Sequence, residues 1–323
     1  MIFGRQDRVK EIKLIAELGT NYIFHLLAVA KNNYDNSYSR KYASSISNKH
    51  REILQKFKER LNFANGNAGD LVEYLIFFPA YLGLNSQNDL ERYFGLIKKA
   101  AHGRPEGFIK EYREKISERK WLPKIDDRWF EMLHEKLEEI EMLKEVYIDN
   151  FTTYKNLVWP YEFPQMKKKA DRLNEKLKGL NLIEKWEKVT GKSFKAKKYE
   201  IVLVSAIEGG PNANSLGYSK NVFYSESESS FMIDFISHEV GTHILSDVAF
   251  EFFQALSTKP EKMAEFYGAY ECIAQFFNSL VLNRELSYDL KQFNSERYIS
   301  AFRELYSVGI NAPKELLMKT LET

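Results

Sequence analysis

Two histidines and a glutamate stand inside an apolar run of this chain, and their types and spacing are those of residues that carry out chemistry. The run extends from Phe231 to Leu245, contains His238, Glu239 and His243, and has no proline, so its pattern predicts a buried helix. Burying a charge or an imidazole costs several kcal/mol unless the group is paired or binds a metal. The stretch is therefore a candidate metal site.

The spacing of the two histidines differs from the familiar zinc-peptidase pattern His-Glu-x-x-His, because His238 and His243 are five residues apart rather than four. At about 100° per residue, five residues separate two side chains by about 140° around an α-helix. One π-type turn would reduce that angle to about 50°, and such turns occur mostly at functional sites. Gly241 suits a distorted turn, so we expect a locally widened helix. Two unrelated core histidines are the alternative.

Glu271 is the candidate third ligand, because a catalytic zinc site usually has three protein ligands and an open position for water. It is the single charged residue in the next apolar helical run, residues 266–283. A lone carboxylate in such a run needs a partner. Glu265 is the fallback ligand, although it lies more than one helical turn short.

Chain geometry predicts how Glu271 returns to the histidines. Thirteen residues separate His243 from Leu256, where the first helix is expected to end, and thirteen separate Thr258 from Glu271 (256 − 243 = 271 − 258 = 13). Thr258 begins a predicted capping box, and Pro260 fits the first turn of a new helix. An antiparallel hairpin of two helices would therefore bring Glu271 level with His243.

These residues carry a resemblance to a known family. The segment His238-Glu239-Val240-Gly241-Thr242-His243 is similar to the His-Glu-Ile-Gly-Thr-His signature of the tubulin-tyrosine carboxypeptidase family and its bacterial relatives. The segment Glu271-Cys272-Ile273-Ala274 resembles that family's Gln-Glu-Gly-Leu-Ala element. More loosely, the two segments resemble those of the gluzincin metallopeptidases. The resemblance covers residues 230–280.

The resemblance implies a zincin-like zinc peptidase with an HExxxH motif. In such an enzyme His238, His243 and Glu271 would hold Zn²⁺, and Glu239 would be the general base. Tyr270 and Cys272 stand where the family has glutamine and glycine, so the family's substrate preference does not carry over.

The chemistry implied is hydrolysis of a peptide bond by a metal-activated water, with Glu239 taking the proton and passing it to the leaving amine. The developing oxyanion needs a further donor, for which Tyr298 and Tyr218 are candidates, although either also fits a core position. Asp234 and Asp247 each lie one helical turn from a histidine. They are candidate acceptors that orient the imidazoles, or ordinary surface aspartates.

Composition limits the partners and the location. A net charge of +2 over 323 residues gives no reason to propose nucleic acid. The single cysteine, Cys272, suits a reducing compartment, and its apolar helix marks it as core rather than nucleophile. The chain start lacks the apolar segment of a signal peptide, and the apolar patch at 74–83 is too short to span a bilayer. We expect a cytoplasmic protein with a peptide or protein substrate and without a membrane partner. The sequence leaves the oligomeric state open.

Apolar periodicity gives the expected fold class, mainly α (α+β). Amphipathic helices are predicted from residue 5 to 155, the first of them including Ile12, Leu14 and Ile15. Two long helices follow, at 126–158 and from 166 to 190. Two short β-branched segments, 199–205 and 221–225, flank a turn signal at 209–212.

The predicted organisation has two consecutive regions. Residues 1–195 are expected to form a helical region, and residues 196–323 a zincin-like metallopeptidase region with a small sheet, an active-site helix and a glutamate helix. One continuous domain is the alternative. Besides an active zinc peptidase, two functions stay open. These are a catalytically inactive zincin-like binding module and a helical interaction scaffold.

Overall fold

The structure, a computed structural model, describes residues 10–64, 67–119, 124–209, 213–256 and 260–322. Most of these residues are helical and a small four-stranded sheet accompanies them, which confirms the prediction of a mainly α (α+β) fold. Contacts divide the chain into two compact units. The first unit takes its residues from Met1–Ile12, Glu175–Tyr199 and Ser227–Thr323, and the second from Lys13–Asn174 and Glu200–Glu226. The units therefore interleave along the chain, whereas the sequence predicted the consecutive regions 1–195 and 196–323.

Six strands are described. They are β1 (Glu11–Ile15), β2 (Phe63–Ala64), β3 (Asn67–Ala68), β4 (Lys198–Val204), β5 (Ala213–Gly217) and β6 (Lys220–Tyr224). The four-stranded sheet has the order β1-β4-β6-β5, and β2 pairs with β3 in a separate antiparallel ribbon. Strand β4 runs parallel to β6, with Val202 opposite Val222, and β5 runs antiparallel to β6. The two predicted strands, β4 and β6, are confirmed.

Two parts of the sheet were not predicted. Strand β1 occupies a segment for which the sequence favoured a helix; that prediction was wrong because Glu11-Ile12-Lys13-Leu14 also alternates charged and apolar residues, the period of a strand. Strand β5 has the sequence Ala-Asn-Ser-Leu-Gly, which carries no apolar alternation to signal it. Residues 210–212 of the predicted turn lie outside the described residues.

The second unit is built mainly of helices. They are α1 (Leu18–Val29), α2 (Ser37–Lys41), α3 (Asn48–Lys56), α4 (Phe78–Leu82), α5 (Gln87–Ala101), α6 (Glu106–Arg119), α7 (Asp127–His134), α8 (Leu137–Leu157) and most of α9 (Trp159–Lys178). Short 3₁₀ turns lie at Ala43–Ser45 and Glu59–Leu61, and a π-helix spans Glu73–Phe77. Helix α1 is buried along its length from Gly19 to Val29, so it forms the centre of this unit's hydrophobic core.

The first unit contains the HExxxH motif. Its helices are α10 (Leu182–Thr190), α11 (Ser229–Ile244), α12 (Ser246–Leu256), α13 (Pro260–Leu282), α14 (Ser295–Ser307) and α15 (Pro313–Glu322), with a 3₁₀ turn at Lys291–Phe293. Helix α13 is central, since it packs against α10, α11, α12, α14 and α15. None of the helices in the described ranges has both the length and the apolar character that crossing a bilayer requires.

Three long helices predicted from the sequence are each interrupted in the structure. The helix expected over 126–158 is divided into α7 and α8, and the helix expected over 166–190 into α9 and α10. The helix expected to continue to Leu256 ends at Ile244. Ser246 donates its hydroxyl to the carbonyl oxygen of His243 at 2.8 Å, a local bond that competes with continuation of the helix. Thr258 of the predicted capping box lies outside the described residues.

Candidate active site

Helix α11 carries the HExxxH motif and is α-helical throughout Ser229–Ile244. At its end Leu245 donates its N–H to the carbonyl of Gly241 at 2.9 Å, the four-residue spacing of an α-helix. The π-type turn predicted between His238 and His243 is therefore absent from this described helix, and that prediction was wrong. In a regular helix the two histidines stand about 140° apart around the axis.

The glycine of the motif serves close packing rather than a distorted turn. A β-carbon on Gly241 would stand 2.2 Å from Cη2 of Trp186 and 2.3 Å from its Cζ2, far inside van der Waals contact. The fully buried Trp186, from α10, also donates its indole N–H to the hydroxyl of Ser237 at 3.0 Å. Helix α10 therefore contacts α11 at Ser237, one residue before His238, and at Gly241, three residues after it.

His238 and Glu271 are brought together. The Nε2 atom of His238 lies 3.0 Å from Oε2 of Glu271, and the two side chains are 1% and 16% exposed. Two ligands of one tetrahedral zinc ion, with bonds of about 2.0–2.2 Å, would be about 3.4 Å apart. The nitrogen and the oxygen are therefore at hydrogen-bond distance, about 0.4 Å closer than two ligands of one ion.

The antiparallel pair of α11 and α13 positions Glu271, although α12 separates the two helices in the chain and the contact is with His238 rather than with the predicted His243. Tyr270 donates its hydroxyl to the carbonyl of Thr242, and Asn278 donates its amide to the carbonyl of Asp234 at 2.8 Å. Asn278 follows Tyr270 along α13, whereas its partner Asp234 precedes Thr242 along α11. The two helices are therefore antiparallel. Glu271 returns beside the motif and reaches toward His238.

His243 occupies a different environment. Its side chain is 1% exposed, and its ring meets the ring of Tyr199 edge to face at a centroid distance of 5.2 Å. Among the residues that the structure describes, no group of three or more His, Cys, Asp or Glu side chains is arranged to hold a metal ion. Of the three predicted ligands, the structure shows contact between His238 and Glu271.

Aromatic rings hold the imidazole of His238. Phe235 stacks on it at a centroid distance of 5.4 Å, and Phe231 stacks on Phe235 at 5.3 Å. Tyr288 meets the His238 ring at 5.5 Å and the Phe235 ring at 5.2 Å, edge to face in both cases. The Nδ1 atom of His238 is buried and has no hydrogen-bond partner among the described residues, so ring packing fixes its orientation.

The two aspartates predicted to orient the histidines have other partners. Asp234 is fully buried; Arg284 donates both terminal nitrogens to its carboxylate, and the N–H of Ser287 donates to it at 2.8 Å. Asp247 is exposed and pairs with Lys195. The pairing of Asp234 with Arg284 ties the loop after α13 to α11, and this loop carries Tyr288.

Two tyrosines that the sequence analysis missed lie close to both glutamates. Burial raises the pKa of the Tyr267 phenol, and the charges of Glu271 and Glu239 raise it further. Tyr267 lies one helical turn before Glu271 on α13. Burial likewise raises the pKa of Tyr288, again with contributions from Glu239 and Glu271. Both phenols therefore stay protonated near these carboxylates.

One of these tyrosines had a signal in the sequence. Tyr267 lies four residues before Glu271 on the same face of α13, a spacing that predicts contact. No residue spacing in the sequence predicted the contact of Tyr288 with His238, because it depends on a loop that the Arg284–Asp234 ion pair holds in place.

The two tyrosines predicted as oxyanion donors each have a contact with a backbone carbonyl. The hydroxyl of Tyr298 is directed at the carbonyl oxygen of Glu265, 3.5 Å away, which is six residues before Glu271 on α13. Tyr218 belongs to the second unit, where its N–H donates to the carbonyl of Arg119 at 2.7 Å. Their proposed role stays a prediction.

The structure gives the environments of Glu265, the fallback ligand, and of Cys272. Glu265 is 44% exposed and lies 3.9 Å from Nη1 of Arg297. Cys272 is fully buried, and burial raises the pKa of its thiol to about 12, which leaves the thiol protonated. The expectation that Cys272 is a core residue is consistent with this environment.

Comparison of the chain with models of protein families, with curated proteins and with solved structures gives no match.

Proposed function

We propose that this protein is a zinc-dependent peptidase whose active site is built on His238, Glu239 and Glu271. The observation that supports it most directly is the 3.0 Å approach of His238 Nε2 to Glu271 Oε2, since nitrogen and carboxylate oxygen are the donors zinc prefers. Glu239 follows His238 directly in α11, and its charge reaches the same two phenols as that of Glu271.

The three proposed ligands all come from α11 and α13. His238 and Glu271 already contact each other, and a bound ion would take the place of the hydrogen bond between them. His243 would complete the set from the last turn of α11, where a regular helix sets it about 140° from His238 around the axis. A bound Zn²⁺ would supply a water of pKa about 7 and a Lewis acid for the carbonyl.

The protein's own groups have distinct roles in this proposal. Glu239 takes the proton of the attacking water and passes it to the leaving amine. Tyr288 accepts an N–H from Asn278 at 3.1 Å through its oxygen, which leaves its own O–H to donate to the carbonyl oxygen of the substrate. Tyr267, one helical turn before Glu271 on α13, would orient that carboxylate.

One alternative has a specific observation in its favour. The regular geometry of α11, with His243 packed on Tyr199, also suits a helical interaction scaffold in which His238 and Glu271 form a buried pair without metal. A catalytically inactive zincin-like binding module is the related possibility. We keep a peptide or protein substrate and a cytoplasmic location as parts of the peptidase proposal.

Zinc content separates the two functions. Untagged protein is incubated with zinc, exchanged into metal-free buffer and measured by elemental mass spectrometry. We expect about one zinc per chain in the wild type and in the control Glu265→Gln, and loss of zinc in Glu271→Gln and His243→Ala. Absence of zinc from the wild type would overturn the peptidase and favour the scaffold.

Catalysis needs a separate measurement, because a binding module can also hold zinc. Glu239→Gln keeps the shape of the side chain and removes the base. We expect this variant to retain zinc and to lose hydrolysis of a mixed peptide library followed by mass spectrometry. Equal hydrolysis by the variant and the wild type would exclude Glu239 as the base.

A further inference from the structure

A buried asparagine joins the loop after α13 to the helix that carries His238. Asn278 is fully buried, and its amide nitrogen donates to the carbonyl of Asp234 on α11 at 2.8 Å and to the phenol oxygen of Tyr288 at 3.1 Å. An amide NH₂ group has two hydrogens, so it supplies one to each acceptor. Asn278 thus bonds the backbone of one helix and the side chain of a loop residue through a single nitrogen.

The carbonyl of Asp234 determines which end of the Asn278 amide faces Tyr288. A backbone carbonyl oxygen only accepts hydrogen bonds, so the amide atom 2.8 Å from it has to be the nitrogen. Turning the amide over would bring its oxygen against that carbonyl. The same nitrogen contacts the phenol, and the oxygen of Tyr288 is therefore the acceptor in this bond. The hydroxyl hydrogen of Tyr288 is directed away from Asn278.

The backbone around Tyr288 is held from the same two helices. Gln275, on α13, donates its amide nitrogen to the carbonyl of Tyr288 at 3.5 Å. On α11, the carboxylate of Asp234 accepts the N–H of Ser287, the residue before Tyr288, at 2.8 Å. Because Asp234 lies one helical turn before His238, these bonds fix the position of the phenol relative to that imidazole.

We propose that Asn278 is a positioning residue, which holds the hydroxyl of Tyr288 so that its hydrogen donates to the oxyanion developing on a peptide substrate. This role rests on the proposed peptidase function, because it concerns the oxyanion donor of the same site. Asn278 is buried and acts through Tyr288, which is the residue that touches the substrate. A contribution of Asn278 to packing alone is the alternative that the experiments have to exclude.

Two substitutions of Asn278 remove the donor in different ways. Asn278→Leu has nearly the same size and no polar atom, and we expect it to lower kcat about tenfold because the hydroxyl loses the bond that orients it. Asn278→Asp keeps the shape, but a carboxyl group carries at most one hydrogen and cannot supply both acceptors. It should lower kcat about 100-fold, as Tyr288→Phe does, because the new carboxyl group attracts the hydroxyl hydrogen. The KM should change less than about twofold in both variants.

A double-mutant cycle in kcat separates positioning from packing, measured on a peptide that the wild type hydrolyses. In the Tyr288→Phe background there is no hydroxyl to orient, so Asn278→Leu should change kcat by less than about twofold. In the control background, Tyr298→Phe, it should keep its effect of about tenfold, since the hydroxyl of Tyr298 is directed at Glu265. Equal effects in the three backgrounds would assign Asn278 to packing and overturn the proposal. If Asn278→Leu does not fold, Asn278→Asp takes its place in the cycle.

A second cycle measures the contact without catalysis, on protein to which no zinc is added. Urea midpoints are determined for the wild type, Asn278→Leu, Tyr288→Phe and the double variant. Because the two side chains share a hydrogen bond, the shift in the double variant should be smaller than the sum of the single shifts. The shifts of Asn278→Leu and the control Tyr298→Phe should add.

The two cycles distinguish failure of this role from failure of the peptidase. Additive midpoint shifts for Asn278→Leu and Tyr288→Phe would overturn the positioning role whatever the activity, and would leave the peptidase in place. Non-additive shifts in a protein that hydrolyses no peptide would overturn the peptidase, and the catalytic role of Asn278 with it. Non-additivity in both cycles is the result that we expect.

Discussion

Trp186 fills the space in which any side chain on residue 241 would have to stand. The ring carbon Cη2 of Trp186 lies 2.2 Å from the ideal β-carbon position of Gly241. Because Trp186 is also fully buried and hydrogen-bonded to Ser237, it cannot move aside without opening the core of the first unit. The glycine in the motif therefore secures the contact of α10 with the helix that carries His238.

Gly241→Ala should destabilise the protein by about 3 kcal/mol, because the added methyl group overlaps the buried indole. The free energy of unfolding in urea, followed by far-UV circular dichroism, checks this. Gly268→Ala is the matched control, since it is also helical and its β-carbon would meet Phe293 only at 3.5 Å or more. The control should be neutral or more stable by up to about 1 kcal/mol. Equal effects of the two substitutions would contradict the packing role of Gly241.

Arg284→Ala should cost about 3 kcal/mol of folding stability, because it leaves the carboxylate of Asp234 buried without its cation. Arg297→Ala is the control, since Arg297 lies 3.9 Å from Glu265 and both side chains are about half exposed. Its cost should be about 0.5 kcal/mol or less. Chemical denaturation of both variants measures the difference. A small effect in Arg284→Ala would mean that the loop bearing Tyr288 is held by other contacts.

Tyr288→Phe should lower kcat about 100-fold on any peptide that the wild type hydrolyses, because the variant lacks the O–H that donates to the developing oxyanion. The KM should change little, since the ring still packs on His238. Tyr298→Phe is the comparison, and its kcat should stay within about threefold of the wild type because that hydroxyl faces Glu265. Steady-state kinetics of both variants discriminate the donor proposed from the structure, Tyr288, from the one predicted from the sequence, Tyr298. A larger loss in Tyr298→Phe would reverse the assignment.

His25 in the second unit should make stability depend on pH. Burial lowers the pKa of His25 to about 3, and its ring nitrogens contact the hydroxyls of Tyr38 and Ser45 at 2.9 and 3.0 Å. Between the unfolded pKa of about 6.5 and this folded value, the unfolded chain binds the extra proton, so acidification favours unfolding. The contribution is present above pH ~6.5 and is lost at up to about 1.4 kcal/mol per pH unit as the pH falls.

The variant His25→Gln isolates this effect, because it keeps a polar side chain and removes the titrating ring. Unfolding free energies at pH 7, 6, 5 and 4 should decline more steeply in the wild type than in the variant. All other titrating groups are common to the two proteins and cancel in the comparison. Parallel pH profiles would show that His25 does not contribute.

Residue patterns were enough to predict the helical character of the chain and the two helices that carry the candidate site. Apolar periodicity is a local property, so it located α11 and α13. The spacing predicted an antiparallel pair with Glu271 level with His243, on a first helix that continues to Leu256; in the structure that helix ends at Ile244 and Glu271 contacts His238. The same analysis of apolar patterns predicted strands β4 and β6, but it predicted a helix at β1. That segment is short, and its apolar residues fit both the helical period and the strand period.

The orientation of the side chains depends on tertiary packing. The last turn of α11 is a regular α-helix rather than the wider π-type turn that we predicted. Trp186, which is far from α11 in the sequence, packs against this regular turn at Gly241. Likewise Tyr288 reaches His238 through a loop that Arg284 ties to Asp234, fifty residues earlier in the chain. Contacts of this kind depend on how elements pack in three dimensions, and residue spacing within one element does not encode them.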